Sequence, residues 1–539
     1  MTGQRGRGRV SERGLFLFFF ALYALTSSGN AFRVPDEFEV YFQAEHFADA
    51  HDLSVPQTLS VNENGEPIFF GKFGLDGKPY APYGPGVAFL ILPFHLAGRA
   101  LARAAGVPRA PLPQGIAWEF VVGGLTALAM AFAGALAVAG FARACRALGA
   151  SGPDIRVLAI VLGLCTLLWP YATTLYCEAW LAAAFIWAAA FLLEVRPPEA
   201  GTHVASGFSR RIGAAAILIA LAIVTKPTAI VIAPAFVVAV LLDRRGERRA
   251  STTVASALSL AILVGASVHI LWNVTRFGYP LDFGYNLAGM IPHPPARPFL
   301  PEEIPRGLFL QLLTPGKSLF VWAPVTLLSL FSLGSCWRRE RGLAAGLIAG
   351  TASALIFYAA YFFPDGGYSH GPRHLVPLVP LLMLPLAIPG AAISRPALRA
   401  CAAVGFVMAA LAVTVSFFED QAPVQIGTRL VSPYYERVDP TPGGPSLRYR
   451  TDYIPFKFAL TSGRWLSPSR APGNGPDFFA LHLVQARRMF PGGAAIPPWL
   501  PWAVSLPWVV LAVLAARRAY GSDTGIAKVT KTTNPLMHS

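Results

Sequence analysis

Apolar runs long enough to cross a membrane recur along this chain, and they leave it few folds to choose from. They fall near 14–32, 116–142, 155–172, 178–195, 211–226, 227–242, 252–272, 318–336, 342–363, 374–392, 398–418 and 499–516. A run of about 20 apolar residues spans the hydrocarbon core as a helix, because lipid offers backbone N–H and C=O groups no partner. The expected fold is an all-α polytopic membrane protein with about 12 transmembrane helices. Composition agrees: 54% of the 539 residues are hydrophobic and 14% are charged, against roughly a quarter charged in soluble domains. Pro227, after Lys226, splits the 211–242 run into two antiparallel spans, since proline removes a helical donor and clashes with the preceding turn.

The net charge is +15. Its Lys and Arg form short clusters between apolar runs, which is the positive-inside pattern and not a nucleic-acid surface. The segment 84–105 decides sidedness. It is apolar, but Pro93, His95, Arg99 and Arg103 interrupt it. If it spans, the clusters at 244–249 and 338–341 and the pair Arg395/Arg399 fall outside. If it lies on the surface as an interfacial helix, they fall inside, with the N-terminal arginines, Arg143, Arg146, Arg156, Arg210, Arg211, Arg517 and Arg518. Only the second arrangement satisfies the rule at every short loop.

The resulting layout has a cytoplasmic N-terminus (1–13), a transmembrane module (14–418) with outer loops 33–115 and 273–317, a loop-rich outer cap (419–498), a last span (499–516) and a polar cytoplasmic tail (517–539) expected to be disordered. The first outer loop carries a helix over Asp36–His51 and the interfacial helix. The N-terminal apolar run lacks a convincing cleavage site and reads as a retained helix. Cys145, Cys165, Cys177, Cys336 and Cys401 lie in or beside apolar segments, so no disulfide framework is expected, and no metal-type Cys or His spacing occurs.

With this sidedness the unusual polar groups collect on the outer side. Asp36-Glu37 follows the first span. Pro35 suits a first helical position and acids suit a first turn, so the pair can be a plain helix start. Alternatively it deprotonates an acceptor hydroxyl or holds a divalent cation beside a phosphate. Between Gly366 and His374, glycines allow close backbone approach while Arg373, His370 and His374 offer donors to an anion; an ordinary turn with an arginine at headgroup level is the competing reading. Glu178 is a helix-initial acid or a second acid in the cavity. Lys226 and Lys317 either snorkel to the interface or contact a phosphate. His269, inside an apolar span, reads as a core histidine. Asn273-Val274-Thr275 matches a glycosylation sequon but abuts the membrane.

These residues resemble the C-type (GT-C) integral-membrane glycosyltransferases, in the branch of protein O-mannosyltransferases and aminoarabinose transferases. The similarity is carried by Asp36-Glu37, by 80–86 (Tyr-Ala-Pro-Tyr-Gly-Pro-Gly) leading into a juxtamembrane helix, by Tyr176-Cys177-Glu178, Thr225-Lys226-Pro227-Thr228 and 273–281, and by 315–320 and 366–374. The resemblance implies an inverting transferase moving a sugar from a polyprenyl-phosphate carrier to an outer-face acceptor (glycan, lipid or protein). Asp36 would be the base, with Glu37 beside it. Glu178, Lys226, Lys317, His370, Arg373 and His374 would bind substrate. An aspartate-spacer-aspartate pattern is absent, because position 38 is Phe38, and a divalent cation is left open. A transporter or flippase of a lipid-linked saccharide, or a non-catalytic glycan-assembly protein, are the alternatives. The expected location is a bacterial inner membrane, with lipid and no nucleic acid as partners.

Overall fold

The computed structural model describes residues 10–520 apart from 30–31, 33, 57–59, 62–66, 69–70, 111–114, 196–204, 244–247, 286–297, 368, 391–393, 416–423, 427–428, 432–434, 439–446, 463–477 and 490–496. The chain runs through α1 (Glu12–Leu25), α2 (Pro35–Ala50), α3 (Pro85–Ala104), α4 (Ile116–Ala147), α5 (Gly152–Leu164), α6 (Leu168–Tyr171), α7 (Glu178–Glu194), α8 (Ala205–Thr225), α9 (Pro234–Leu241) and α10 (Arg248–Phe277). Later helices include Ile304–Leu313, Val325–Arg339, Arg341–Ala360, Arg395–Thr414 and Leu500–Tyr520. Strands occur only as two-stranded hairpins among the described residues, such as Lys72–Phe73 with Pro79–Tyr80 and Tyr435–Arg437 with Leu447–Tyr449. The all-helical membrane expectation therefore holds, with small hairpins added in the loops.

Six helices among the described residues are long and apolar enough to cross a membrane: Pro85–Ala104, Ala117–Ala147, Ser251–Phe277, Arg341–Ala360, Arg395–Thr414 and Leu500–Ala519. Several other expected spans are shorter or broken, for local reasons. The 155–172 run stops at Leu164 and resumes at Leu168, because the Thr166 hydroxyl bonds Leu162 O and accepts the Leu168 N–H. The 374–392 run is a chain of short 3-10 and α turns, because Pro377, Pro380 and Pro385 each lack an N–H. α1 ends at Leu25, not Phe32. There the Thr26 hydroxyl donates to Leu22 O at 2.9 Å and Ser28 turns away to donate its N–H to Thr173 O.

The helices sort their charges to two ends. At one end Arg143 holds Glu194 through two 2.8 Å bonds, Arg211 lies 3.4 Å from the same carboxylate, and Arg146 pairs with Glu12. At the other end stand Asp36, Glu178, Lys226 and Arg373. Between them α1, α4, α5 and α7 bury Phe19, Phe141, Leu162 and Phe185 in one core. α4 and α7 meet through alanines, which lets their backbones approach closely.

α3 packs beside α4 and against the end of α8. Its N-terminus reaches the end of α8, where a Cβ on Gly86 would stand 2.7 Å from Thr225 N. Further along, His95 Nδ1 is 3.3 Å from Thr126 Oγ1 near the start of α4. α4 has 32 residues, about 48 Å of helix, so roughly 18 Å extends past a 30 Å hydrocarbon core. The first half of α3 thus meets α8 and α4 on the side of the bundle that carries Lys226. α3 also satisfies the length and apolarity of a span.

The cap is described only in part. Its 448–456 stretch sits on the 303–322 segment: Arg448 pairs with Glu303 at 2.6 Å, Arg306 donates to Tyr449 O, and Phe456 covers Trp322. Residues 1–9 and the tail from 521 lie outside the described residues.

Candidate functional site

The site begins with the start of α2. Val34 is extended, Pro35 occupies the first turn, and Asp36 follows it. Asp36 remains partly exposed, and Arg373 Nη1 donates to its Oδ1 at 3.0 Å. Arg373 lies at the start of a 3-10 turn, reached through Gly366 and Gly367, whose φ of +81° and +72° favour glycine. The guanidinium lies over the Tyr176 ring, 4.7 Å from its centroid. Its Nε is 3.7 Å from Glu178 Oε1 and has no hydrogen-bond partner among the described residues.

Glu178 opens α7 and is 1% exposed. Lys226, the residue after α8, donates to the same Oε1 at 2.8 Å. One buried carboxylate therefore lies between two cations, and Asp36 lies on the far side of one of them. A buried charge is tolerated only when paired in this way. His374 stacks on Tyr358, with centroids 4.3 Å apart, and its two ring nitrogens have no hydrogen-bond partner among the described residues. Tyr358 in turn donates to Thr228, which ties the 225–228 motif to the site.

Five of the expected residues thus come together: Asp36, Glu178, Lys226, Arg373 and His374. The other three brace the surrounding loops. Glu37 is 1% exposed and its Oε1 accepts the Leu175 N–H at 3.0 Å, which fixes the loop leading to Glu178. Lys317 is fully buried, and its ammonium donates to Gly367 O, Ser369 O and Ser369 Oγ at 2.7–3.3 Å. It holds the turn that presents Arg373. His370 is buried against Trp322 and Phe456 with Nε2 3.2 Å from Val415 O, while its carbonyl accepts from Tyr171.

The 273–281 motif acts at a distance from Asp36. Arg276 donates to Ala81 O at 2.8 Å and to Asn273 Oδ1, and its backbone carbonyl accepts the Leu75 N–H. It anchors the 72–83 hairpin and with it Tyr83. Asn273 is fully buried and donates to Pro280 O, so the sequon is not presented for modification. His269 is a core histidine, as expected, with Nε2 2.6 Å from Ile223 O.

Sequence reading missed two residues of α2. Glu39 is 2% exposed and its Oε2 has no hydrogen-bond partner among the described residues. Burial first, and then the charge of Asp36, push its carboxyl well above the usual carboxylate range. Gln43 is fully buried, with neither amide atom partnered among the described residues. The signal was available: 36, 39 and 43 share a helix face by spacing. The Tyr83 phenol borders the same place, pushed up by burial and then by Asp36 and Glu39.

No group of three or more His, Cys, Asp or Glu that could hold a metal ion occurs among the described residues. Asp36 is bonded to a guanidinium and Glu178 to an ammonium. A carboxylate set already neutralised by fixed cations does not fit a divalent ion.

No family model and no curated protein matches the chain. Solved structures do. The ArnT of Cupriavidus metallidurans in the apo state is 15% identical, over 94% of this chain and 76% of that one, with a TM-score of 0.45. The same protein bound to undecaprenyl phosphate is 16% identical over 95% and 74%, also at 0.45. The archaeal oligosaccharyltransferase AglB from Archaeoglobus fulgidus, in complex with an inhibitory peptide and a dolichol-phosphate, is 11% identical over 74% of this chain and 55% of that one, at 0.41. Likeness of this order assigns no residue.

Proposed function

We propose that this protein is an inverting glycosyltransferase that moves a sugar from a polyprenyl-phosphate carrier to an acceptor hydroxyl at the membrane surface. The observation that carries the reading is Asp36 held 3.0 Å from Arg373, while Arg373 and Lys226 share the buried Glu178. A carboxylate that can take a proton thus adjoins two cations that can take a phosphate, at one end of a bundle built for lipid. The motif resemblance to C-type glycosyltransferases supports the same chemistry.

The acceptor oxygen attacks C1 of the sugar as the C1–O bond to phosphate breaks. The bonding pair leaves with the phosphate oxygen, and the acceptor proton passes to Asp36. Attack opposite the leaving group inverts C1. Arg373 uses its unpartnered Nε and Lys226 its exposed side to bind the departing phosphate. Glu178 keeps both cations in place before substrate arrives, so they need no rearrangement during the reaction. Glu37 and Lys317 position the two loops that carry Glu178 and Arg373.

Release of polyprenyl phosphate from a panel of undecaprenyl-phosphate hexoses and pentoses, by purified protein in lipid with methyl glycosides as acceptors, tests this. Asp36→Asn is expected to lower turnover at least about 100-fold, the usual worth of a positioned base, with an unchanged melting temperature. Undiminished turnover in the folded variant sinks the assignment.

A further inference from the structure

α2 carries more polar chemistry than the reaction above uses. Asp36, Glu39 and Gln43 stand at i, i+3 and i+7, so they line one face over about 10 Å of helix. Asp36 keeps its contact with Arg373, but Glu39 Oε2 and both Gln43 amide atoms have no hydrogen-bond partner among the described residues. Glu39 is 2% exposed and Gln43 fully buried. Leaving such groups unsatisfied is costly, and the large majority of buried side-chain polar atoms find a partner. Three orphaned atoms one and two turns from the base therefore call for an occupant. An amide offers two N–H donors and one acceptor, and a neutral carboxyl offers one of each. Burial favours that neutral form of Glu39. Vicinal hydroxyls present the complementary set, each donating and accepting at once.

We propose that Glu39 and Gln43 form a hydroxyl-binding subsite that grips vicinal hydroxyls of a sugar beside Asp36. The proposal rests on the transferase reading and adds to it the residues that select the sugar. The hydroxyls belong either to the lipid-linked sugar or to the acceptor, and the two sources are separable.

The experiment uses the full chain in lipid nanodiscs. Binding of undecaprenyl phosphate is compared with that of undecaprenyl phosphate carrying glucose, mannose, galactose or arabinose. Binding of the corresponding free methyl glycosides is followed by ligand-observed NMR. In the wild type a sugar-bearing ligand binds more tightly than bare lipid, or a methyl glycoside binds directly. Gln43→Leu and Glu39→Leu each weaken that sugar-dependent part about tenfold or more, since polar sites discriminate strongly for the hydroxyls they bind. Both bind bare undecaprenyl phosphate as the wild type does. Gln43→Leu melts no lower than wild type, because it removes an unpaired amide and not a contact. Glu39→Gln, which still donates and accepts, retains sugar binding. A gain confined to lipid-linked sugar assigns the subsite to the donor, and a gain confined to methyl glycoside assigns it to the acceptor. Leucine variants that keep the full sugar-dependent gain overturn the subsite, as does a wild type with no sugar-dependent binding. Failure of bare lipid to bind, with glycoside binding intact and Gln43-dependent, overturns the donor chemistry alone.

Discussion

Glu178 and Glu39 are both buried carboxyls within the same site, and they meet the cost of burial in opposite ways. Glu178 shares Lys226 and Arg373. Glu39 instead is held toward its neutral form by burial and by the nearby Asp36. This has a consequence for stability. The unfolded chain releases the Glu39 proton near the usual value of about 4.3, whereas the folded chain keeps it to higher pH. Its contribution to stability is therefore full below the unfolded value and is lost as pH rises through the raised folded value. Glu39→Gln removes the loss. Its melting temperature is expected to match wild type at pH 4 and to exceed it at pH 8; parallel melting curves at both pH values would refute the assignment. At this scale the sequence was partly legible. Asp36, Glu178, Lys226 and Arg373 stand out as charges in an apolar chain, and the structure gathers them. Lys317 and His370 stand out equally but are taken by backbone carbonyls, which residue type alone cannot reveal. Glu39 and Gln43 were hidden because a polar residue on a loop helix reads as solvated until burial is known.

Helix packing fixes how α2 presents Asp36. The far end of α2 is clamped to α3 by Asp49, which pairs with Arg99 and accepts from Arg109 at 2.7 and 3.0 Å. Burial pushes the Asp49 carboxyl up, but bonds from Arg109 and Arg99 hold it down at about 2. Arg99 is 6% exposed, and its Nη1 has no hydrogen-bond partner among the described residues. Asp49→Ala would strand that guanidinium and is expected to lower stability by about 2 kcal/mol, the scale of a charged hydrogen bond. Arg109→Ala, at a half-exposed surface pair, should cost under about 1 kcal/mol. Equal melting temperatures for the two variants would remove the clamp. Elements with a long uninterrupted apolar run, such as α4 and Arg395–Thr414, were readable in the sequence because length and composition decide them. The 374–392 stretch was not. Its hydropathy is that of a span, while its prolines impose short turns, and those turns aim Arg373 at Asp36.

For the whole molecule, charge separates to two ends, and transfer and transport predict different access to them. Arg143, Arg146 and Arg211 gather around Glu194 and Glu12, and the site lies at the opposite end. Below it, Phe141, Phe185, Ile186 and Ala188 are fully buried in one continuous core, so a saccharide would cross the bundle only if that packed core opened. A transporter must expose its site alternately to both sides, whereas a transferase need expose it to one. Single cysteines can be introduced after replacement of the five native ones. Leu75→Cys, on the exposed 72–80 hairpin, and Thr174→Cys, half-buried in the loop before Glu178, report the site end. Arg338→Cys reports the arginine end. A membrane-impermeant maleimide applied to intact cells is expected to label the first two positions and to reach Arg338→Cys only after permeabilisation. Adding lipid-linked sugar should slow labelling at Thr174→Cys by occupying the site, without making it reactive from the arginine side. Labelling of Thr174→Cys from both sides would place alternating access above transfer, since the core beneath the site would then have to open.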